Sequence, residues 1–131
     1  MDGPIEIALA ADANYSMGLL VTACSLARRA AKEATIRFSI LDGGLRQDDW
    51  DFLCRKVQEL HPNSLFSRLA VDSRRLAKFP AWNGEGRMTY ARLLLPGLMP
   101  GARHVIYCDV DFLWLADVAG LWELRRDDVA C

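Results

Sequence analysis

The sequence predicts an α/β domain built on a mostly parallel, Rossmann-like sheet with helices on both faces. Three observations lead there. Short apolar runs alternate in order with amphipathic segments long enough to cross over between parallel strands. The first run, Ile5-Glu6-Ile7-Ala8-Leu9-Ala10-Ala11, is almost continuously apolar, as a strand buried on both faces must be. Each run is followed by an aspartate, namely Asp12, Asp42, Asp72 and Asp109. Ligands in such sheets bind beyond the carboxyl ends of the strands, so those four acids mark an edge worth following. The 131 residues suit a single domain over 1–131.

The elements follow in order. Ile5 to Ala11 is the first strand, and Asp12-Ala13-Asn14-Tyr15-Ser16 is a loop rich in helix-capping residues. Residues 17–32 place Met17, Leu20, Val21, Cys24, Ala27 and Ala31 on one helical stripe. Arg28, Arg29 and Lys32 lie in the last turns, where cations favour the helix dipole. Thr35 to Leu41 alternates, with Ile36, Phe38 and Ile40 on one face, and Asp42-Gly43-Gly44 closes this second strand. A second helix over 47–60 opens on Asp48, Asp49 and Asp51 and gathers Trp50, Leu53, Val57 and Leu60 on one face. His61-Pro62-Asn63 ends it, and Leu65 to Val71 is the third strand. Residues 72–87 carry Pro80, Gly84 and Gly86 without periodicity and read as a long loop of the functional kind, with Trp82 as an anchor or a ligand contact. Thr89 to Leu95 is a short helix stopped by Pro96 and Gly97, and His104 to Cys108 is the fourth strand. Leu121 and Trp122 belong to a short helix beginning near Asp117. Asp128-Val129-Ala130-Cys131 reads as the start of another strand, the expectation for a polypeptide cut inside a larger domain.

Composition excludes several classes. A hydrophobic content of 52% is too high for a disordered chain, and a net charge of -1 argues against a general nucleic-acid binder. Residues 1–27 hold no Lys or Arg, so the n-region of an export signal is missing, and no apolar stretch approaches the ~20 residues that span a bilayer. Cys24, Cys54, Cys108 and Cys131 match no zinc or redox spacing and read as reduced packing residues of a cytoplasmic protein, at most peripheral to the inner face of a membrane. Residues 68–103 carry seven bases against two acids, whereas residues 104–131 carry six acids against two bases. Such an arrangement can hold an anion beside a cation, although solvated surface charge is the plainer reading.

Three groups of residues could do chemistry. In extended backbone residues i and i+2 point the same way, so Asp109 and Asp111 of Asp109-Val110-Asp111 present two hard oxygen donors at a strand end, suited to Mg²⁺ or Mn²⁺ with diphosphate oxygens completing the shell. Arg92, on the short helix ahead of that strand, can pair with a phosphate or orient an Asp carboxylate; the plain alternative is an exposed helix arginine. Asp12, Asn14 and Tyr15 offer a carboxylate for the N–H of a uracil-like base and a ring to stack on it, or simply a helix cap and a packed tyrosine. The loop lacks the glycines of a dinucleotide fingerprint. Trp50, Trp114 and Trp122 read as core, His61 as a helix end, and His104 as a strand opener with no second histidine at metal spacing.

Taken together, four stretches resemble the family 8 glycosyltransferases, the group that includes bacterial lipopolysaccharide galactosyl- and glucosyltransferases and glycogenin. They are Ile7 to Tyr15, Ile36 to Asp42, Thr89-Tyr90-Ala91-Arg92-Leu93, and Val105-Ile106-Tyr107-Cys108-Asp109-Val110-Asp111, in family order and spacing over nearly the whole chain. The resemblance implies a GT-A fold, a UDP-sugar donor, a Mn²⁺-type metal (or Mg²⁺), a saccharide or glycolipid acceptor, and hexose transfer with retention of configuration. By that likeness Asp12, Asn14 and Tyr15, with the backbone of Ala10 and Ala11, would hold uridine. Arg92 would face the donor, Asp109 and Asp111 would bind metal, and Val110 would present backbone to the ribose.

The chain departs from the family pattern by stopping before the His-containing motif that supplies a third metal ligand, and no catalytic residue is assigned. The expectation is therefore the nucleotide-binding part of an enzyme, weak in UDP binding and poor in turnover alone. One alternative is a catalytically silent UDP-binding remnant. A receiver-type signalling domain has similar length and alternation, but it would need paired acids after the first strand and a late lysine; here Asp12 stands alone and the last lysine is Lys78.

Overall fold

A computed structural model describes residues 3–80 and 87–128. Trp82, Gly84 and Gly86 of the expected loop, and Val129 to Cys131 of the expected last strand, lie outside the described residues. The first strand, β1 (Ile5–Ala11), has its neighbours on both sides. Ile5, Ile7, Leu9 and Ala11 enter the main core on one face, and Ala8 and Ala10 enter a second cluster on the other, which is why the run is apolar throughout. β2 (Ile36–Asp42) pairs with β1 from Ile5 opposite Ile36 to Ala11 opposite Asp42. β3 (Ser64–Ala70) continues beyond β2, and β4 (Ile106–Tyr107) pairs on the far side of β1. All these pairings are parallel, and the order is β3-β2-β1-β4. β4 is shorter than the expected His104 to Cys108, although the Cys108 amide still donates to the Ala8 carbonyl at 2.9 Å.

Helices α1 (Ser16–Arg29) and α2 (Gln47–Leu60) cover the main core face. α2 keeps the expected bounds and buries Leu53 and Val57. α1 follows a 3-10 turn at Ala13–Tyr15 and presents a different stripe from the expected one. Leu19, Thr22, Ala23, Leu26 and Ala27 are buried, whereas Met17 and Val21 are 69% and 48% exposed. The reason is packing rather than hydropathy: the Thr22 hydroxyl is buried because it donates to the Phe112 carbonyl at 2.9 Å, so a polar residue joins the inner face.

The second face is covered by a 3-10 helix, Arg87–Leu94, and α4 (Leu95–Leu98). Alanines meet there: Ala8 and Ala10 of β1 cluster with Ala91 and Leu41. Pro96 does not stop the helix as expected. It sits in the first turn of α4, where its missing N–H has no partner to lose. The described part of the expected loop at 72–87 holds a short helix, α3 (Ser73–Leu76), and α5 (Ala119–Trp122) is the last helix among the described residues. Trp50, Trp114 and Trp122 pack partly buried against the main core, and Cys24, Cys54 and Cys108 are free thiols. Among the described residues no helix is long and apolar enough to cross a membrane.

Candidate functional site

The strand order fixes where a ligand can enter. From β1 the chain builds outward through β2 and β3, then returns to place β4 on the opposite side of β1. Crevices open beyond the carboxyl ends of strands where the order reverses. A cleft of about 270 Å³ lies there, lined by Ala10, Tyr15, Arg92, Asp109, Val110 and Asp111, and also by Met88, Thr89 and Tyr107. Six of the nine residues singled out from the sequence therefore line one cavity.

The acidic loop is fastened from several sides. Arg92 donates from one terminal nitrogen to Asp109 Oδ1 at 2.9 Å and from Nε to the Thr89 carbonyl at 3.1 Å. Its guanidinium carbon lies 4.8 Å from the centre of the Tyr107 ring. Burial pushes the Tyr107 phenol above its ordinary value, and the Arg92 guanidinium pulls the other way. Asp111 is exposed, and among the described residues it has no ion-pair partner. Downstream, the Phe112 carbonyl accepts from Thr22 and the Trp114 amide donates to Ser25 Oγ at 2.9 Å, so α1 holds the loop's far end. Gly18 of α1 faces the loop's middle: a Cβ there would stand 2.4 Å from the Val110 carbonyl oxygen. Only a hydrogen side chain permits that approach.

The remaining site residues lie nearby with mixed roles. Asp12 Oδ1 accepts from the Asn14 amide at 2.9 Å, so one carboxylate oxygen caps the 3-10 turn. Asp12 lines an adjacent cleft with Gly43, Val71, Arg74 and Arg87 rather than the cavity of Asp109. Asn14 is exposed and lines neither cavity. Ala11 is buried, and its carbonyl accepts from the Gly43 amide at 2.9 Å.

Two of the four strand-end acids are structural. Asp42 accepts from the Gly44 and Leu45 amides at 2.8 and 2.6 Å and from Arg68 Nε at 2.7 Å. The turn it closes needs Gly44 at φ +126°. Burial works to raise the Asp42 carboxyl, but those amides and Arg68 outweigh it and hold the group below its usual range. Asp72 caps α3 through the Arg74 amide and pairs with the Arg74 side chain. His61 ends α2 and is buried against the Ala34 carbonyl, while His104 lies against Asp127 and the Arg126 carbonyl.

Sequence reasoning missed Gly18, Met88, Thr89 and Tyr107. A signal existed for Tyr107, which stands two residues before Asp109 on extended backbone and so shares its face. Thr89 stands three residues before Arg92, one turn of a 3-10 helix. Asp109 and Asp111 both line this cavity, and no histidine or cysteine is among its lining residues, so the donors available to a cation there are carboxylate oxygens. Among the described residues no group of three or more metal-ligating side chains forms, and a cation placed between two carboxylates would take the rest of its oxygen ligands from elsewhere.

The switch point of this parallel α/β sheet gathers an aromatic ring, an arginine and two carboxylates in the crevice where doubly wound folds take their ligands. The model of the family described as glycosyl transferase family 8 matches residues 6–130, and the chain belongs to that family. A probable galacturonosyltransferase-like protein 3 of Arabidopsis thaliana is 31% identical over 133 residues, spanning 93% of this chain and 36% of its own. The galactosyltransferase LgtC, solved in complex with donor and acceptor sugar analogues, is 30% identical with a TM-score of 0.80 over 92% of this chain and 43% of its own. The bifunctional glycosyltransferase WbbM shares the fold, with a TM-score of 0.77 at 23% identity. The architecture is thus the GT-A-like one expected from the sequence, and the chain spans well under half the length of these relatives.

Proposed function

We propose that the chain is the nucleotide-sugar-binding part of a retaining hexosyltransferase that uses a UDP-sugar, with Mn²⁺ or Mg²⁺ held by Asp109 and Asp111. The observation that carries this reading is the shared cavity of Tyr15, Arg92, Asp109 and Asp111 at the switch point. When bound, the cation supplies positive charge to a departing diphosphate. The chain's own groups do the rest of the binding. Tyr15 offers a ring face to the base, and Asp12 keeps its second carboxylate oxygen for a uracil N–H. The Val110 backbone, pressed toward α1 by Gly18, lines the cavity where a ribose would lie. Arg92 fixes Asp109 and adds positive charge to the same wall. The relatives at 30% identity or more are named for galactosyl and galacturonosyl transfer, which supports a hexose-type donor and a saccharide or glycolipid acceptor.

A second reading is UDP and metal binding by this stretch without turnover of its own; the chain spans 36% and 43% of these relatives' length. Calorimetric titration of UDP with Mn²⁺ and again with EDTA tests the binding claim. Affinity that requires Mn²⁺ supports it, and equal affinity in EDTA overturns it. An NMR assay with UDP-galactose and lactose then separates the readings: an α-linked product supports retention, and binding without product supports the silent form.

A further inference from the structure

The geometry points to Tyr107 as a positioning residue, whose ring holds the Arg92 guanidinium against Asp109 and so leaves the Asp111 carboxylate to a cation. This rests on the metal reading above. Arg92 and Asp109 are each 44% exposed, and an ion pair that open to water contributes little by itself. A guanidinium so placed has two carboxylates within the same cavity to choose between, Asp109 and Asp111. If it swung between them it would neutralise both donors and compete with a metal ion for the site. The ring decides the matter. Tyr107 sits on β4 and is paired with Ala8 of β1, so the sheet holds its backbone in register beside the cavity. Its face lies 4.8 Å from the guanidinium carbon, within the range where the ring quadrupole attracts a cation. The Thr89 carbonyl takes the Nε hydrogen and fixes the plane from the other end. With Nε and the ring face engaged, one terminal nitrogen reaches Asp109 Oδ1 at 2.9 Å and Asp111 stays unpaired among the described residues. The order of support is therefore strand, ring, guanidinium, carboxylate. Tyr107 touches no reacting atom in this arrangement, so its effect passes through Arg92.

The test varies the ring's electrons without its shape. Tyr107→Phe keeps the face, and Tyr107→3,4,5-trifluorophenylalanine keeps the volume while draining the face of negative charge. Mn²⁺ affinity in the presence of UDP is read by electron paramagnetic resonance, and the fold by circular dichroism. Tyr107→Phe is expected to bind within about twofold of wild type, and the trifluoro variant about two- to tenfold more weakly, the weight of one cation–π contact. The same pair of substitutions in an Arg92→Met background is expected to show no difference, because no cation remains to feel the ring. Equal Mn²⁺ affinity for the Phe and trifluoro variants would overturn this inference while leaving the metal reading intact. Failure of wild-type protein to bind Mn²⁺ with UDP would overturn the metal reading and the inference with it.

Discussion

Replacing Gly18 by alanine separates two opposed effects by their sign. Gly18 is the third residue of α1, and helix propensity alone would make alanine better there by up to about 1 kcal/mol. The structure demands the opposite. The added methyl would stand 2.4 Å from the Val110 carbonyl oxygen, whereas unstrained carbon contacts begin roughly 1 Å further out. The obstacle is backbone, so no rotamer change relieves it. The loop of Asp109 to Asp111 or the start of α1 must move by about 1 Å, and overpacking of that kind costs about 1–3 kcal/mol. The expected result is a net loss of about 1–2 kcal/mol in urea unfolding followed by tryptophan fluorescence, together with at least a tenfold loss of Mn²⁺ affinity in the presence of UDP. Gly120 in α5 is the control, because a Cβ there meets nothing within 4 Å; Gly120→Ala should stabilise the protein slightly and leave metal binding unchanged. A Gly18→Ala protein more stable than wild type with unaltered Mn²⁺ binding would refute the argument that α1 sets the position of the acidic loop.

Other outcomes follow from the same contacts. Asp111→Asn removes an exposed charge with no ion-pair partner among the described residues, so stability should change by less than about 0.5 kcal/mol while Mn²⁺ affinity measured by calorimetry falls more than about tenfold. Asp42→Asn loses the Arg68 pair and should cost about 1–2 kcal/mol at pH 7. Because the folded-state carboxyl of Asp42 is depressed, its contribution is full above the unfolded pKa near 4 and is lost as pH falls through the lower folded value, so the gap between wild type and variant in urea melts should narrow as pH is lowered below about 4. Burial pushes the Cys54 and Cys108 thiols to about 11, so both should resist iodoacetamide at pH 8 in native protein and react promptly in urea.

Much of the architecture was legible because alternation and helical periodicity are local. The seven residues of β1 and the whole of α2 follow from their apolar patterns, since each meets a neighbour on known faces. The inner face of α1 did not follow. That helix is rich in small and apolar residues all round, so its stripe is chosen by what packs on it: Thr22 turns inward for the Phe112 carbonyl, and Met17 turns out. The sequence placed four acids at one sheet edge and singled out Asp12 and Asp109 among them; the structure shows what the other two do, Asp42 and Asp72 serving turns and caps through backbone amides that only the fold brings to them. The i, i+2 spacing of Asp109 and Asp111 marked them in the sequence, but that β4 sets them across the switch point from β2 is a long-range fact no spacing encodes. Gly18 was invisible for the same reason, its partner Val110 being far along the chain.

The most direct measurement is the position of manganese itself. Crystals grown with UDP and MnCl₂ and measured at the manganese absorption edge should give one anomalous peak between the carboxylates of Asp109 and Asp111, with diphosphate density against it and the base beside Tyr15. Manganese bound elsewhere, or UDP seated in the cleft with no peak at those two residues, would contradict the account.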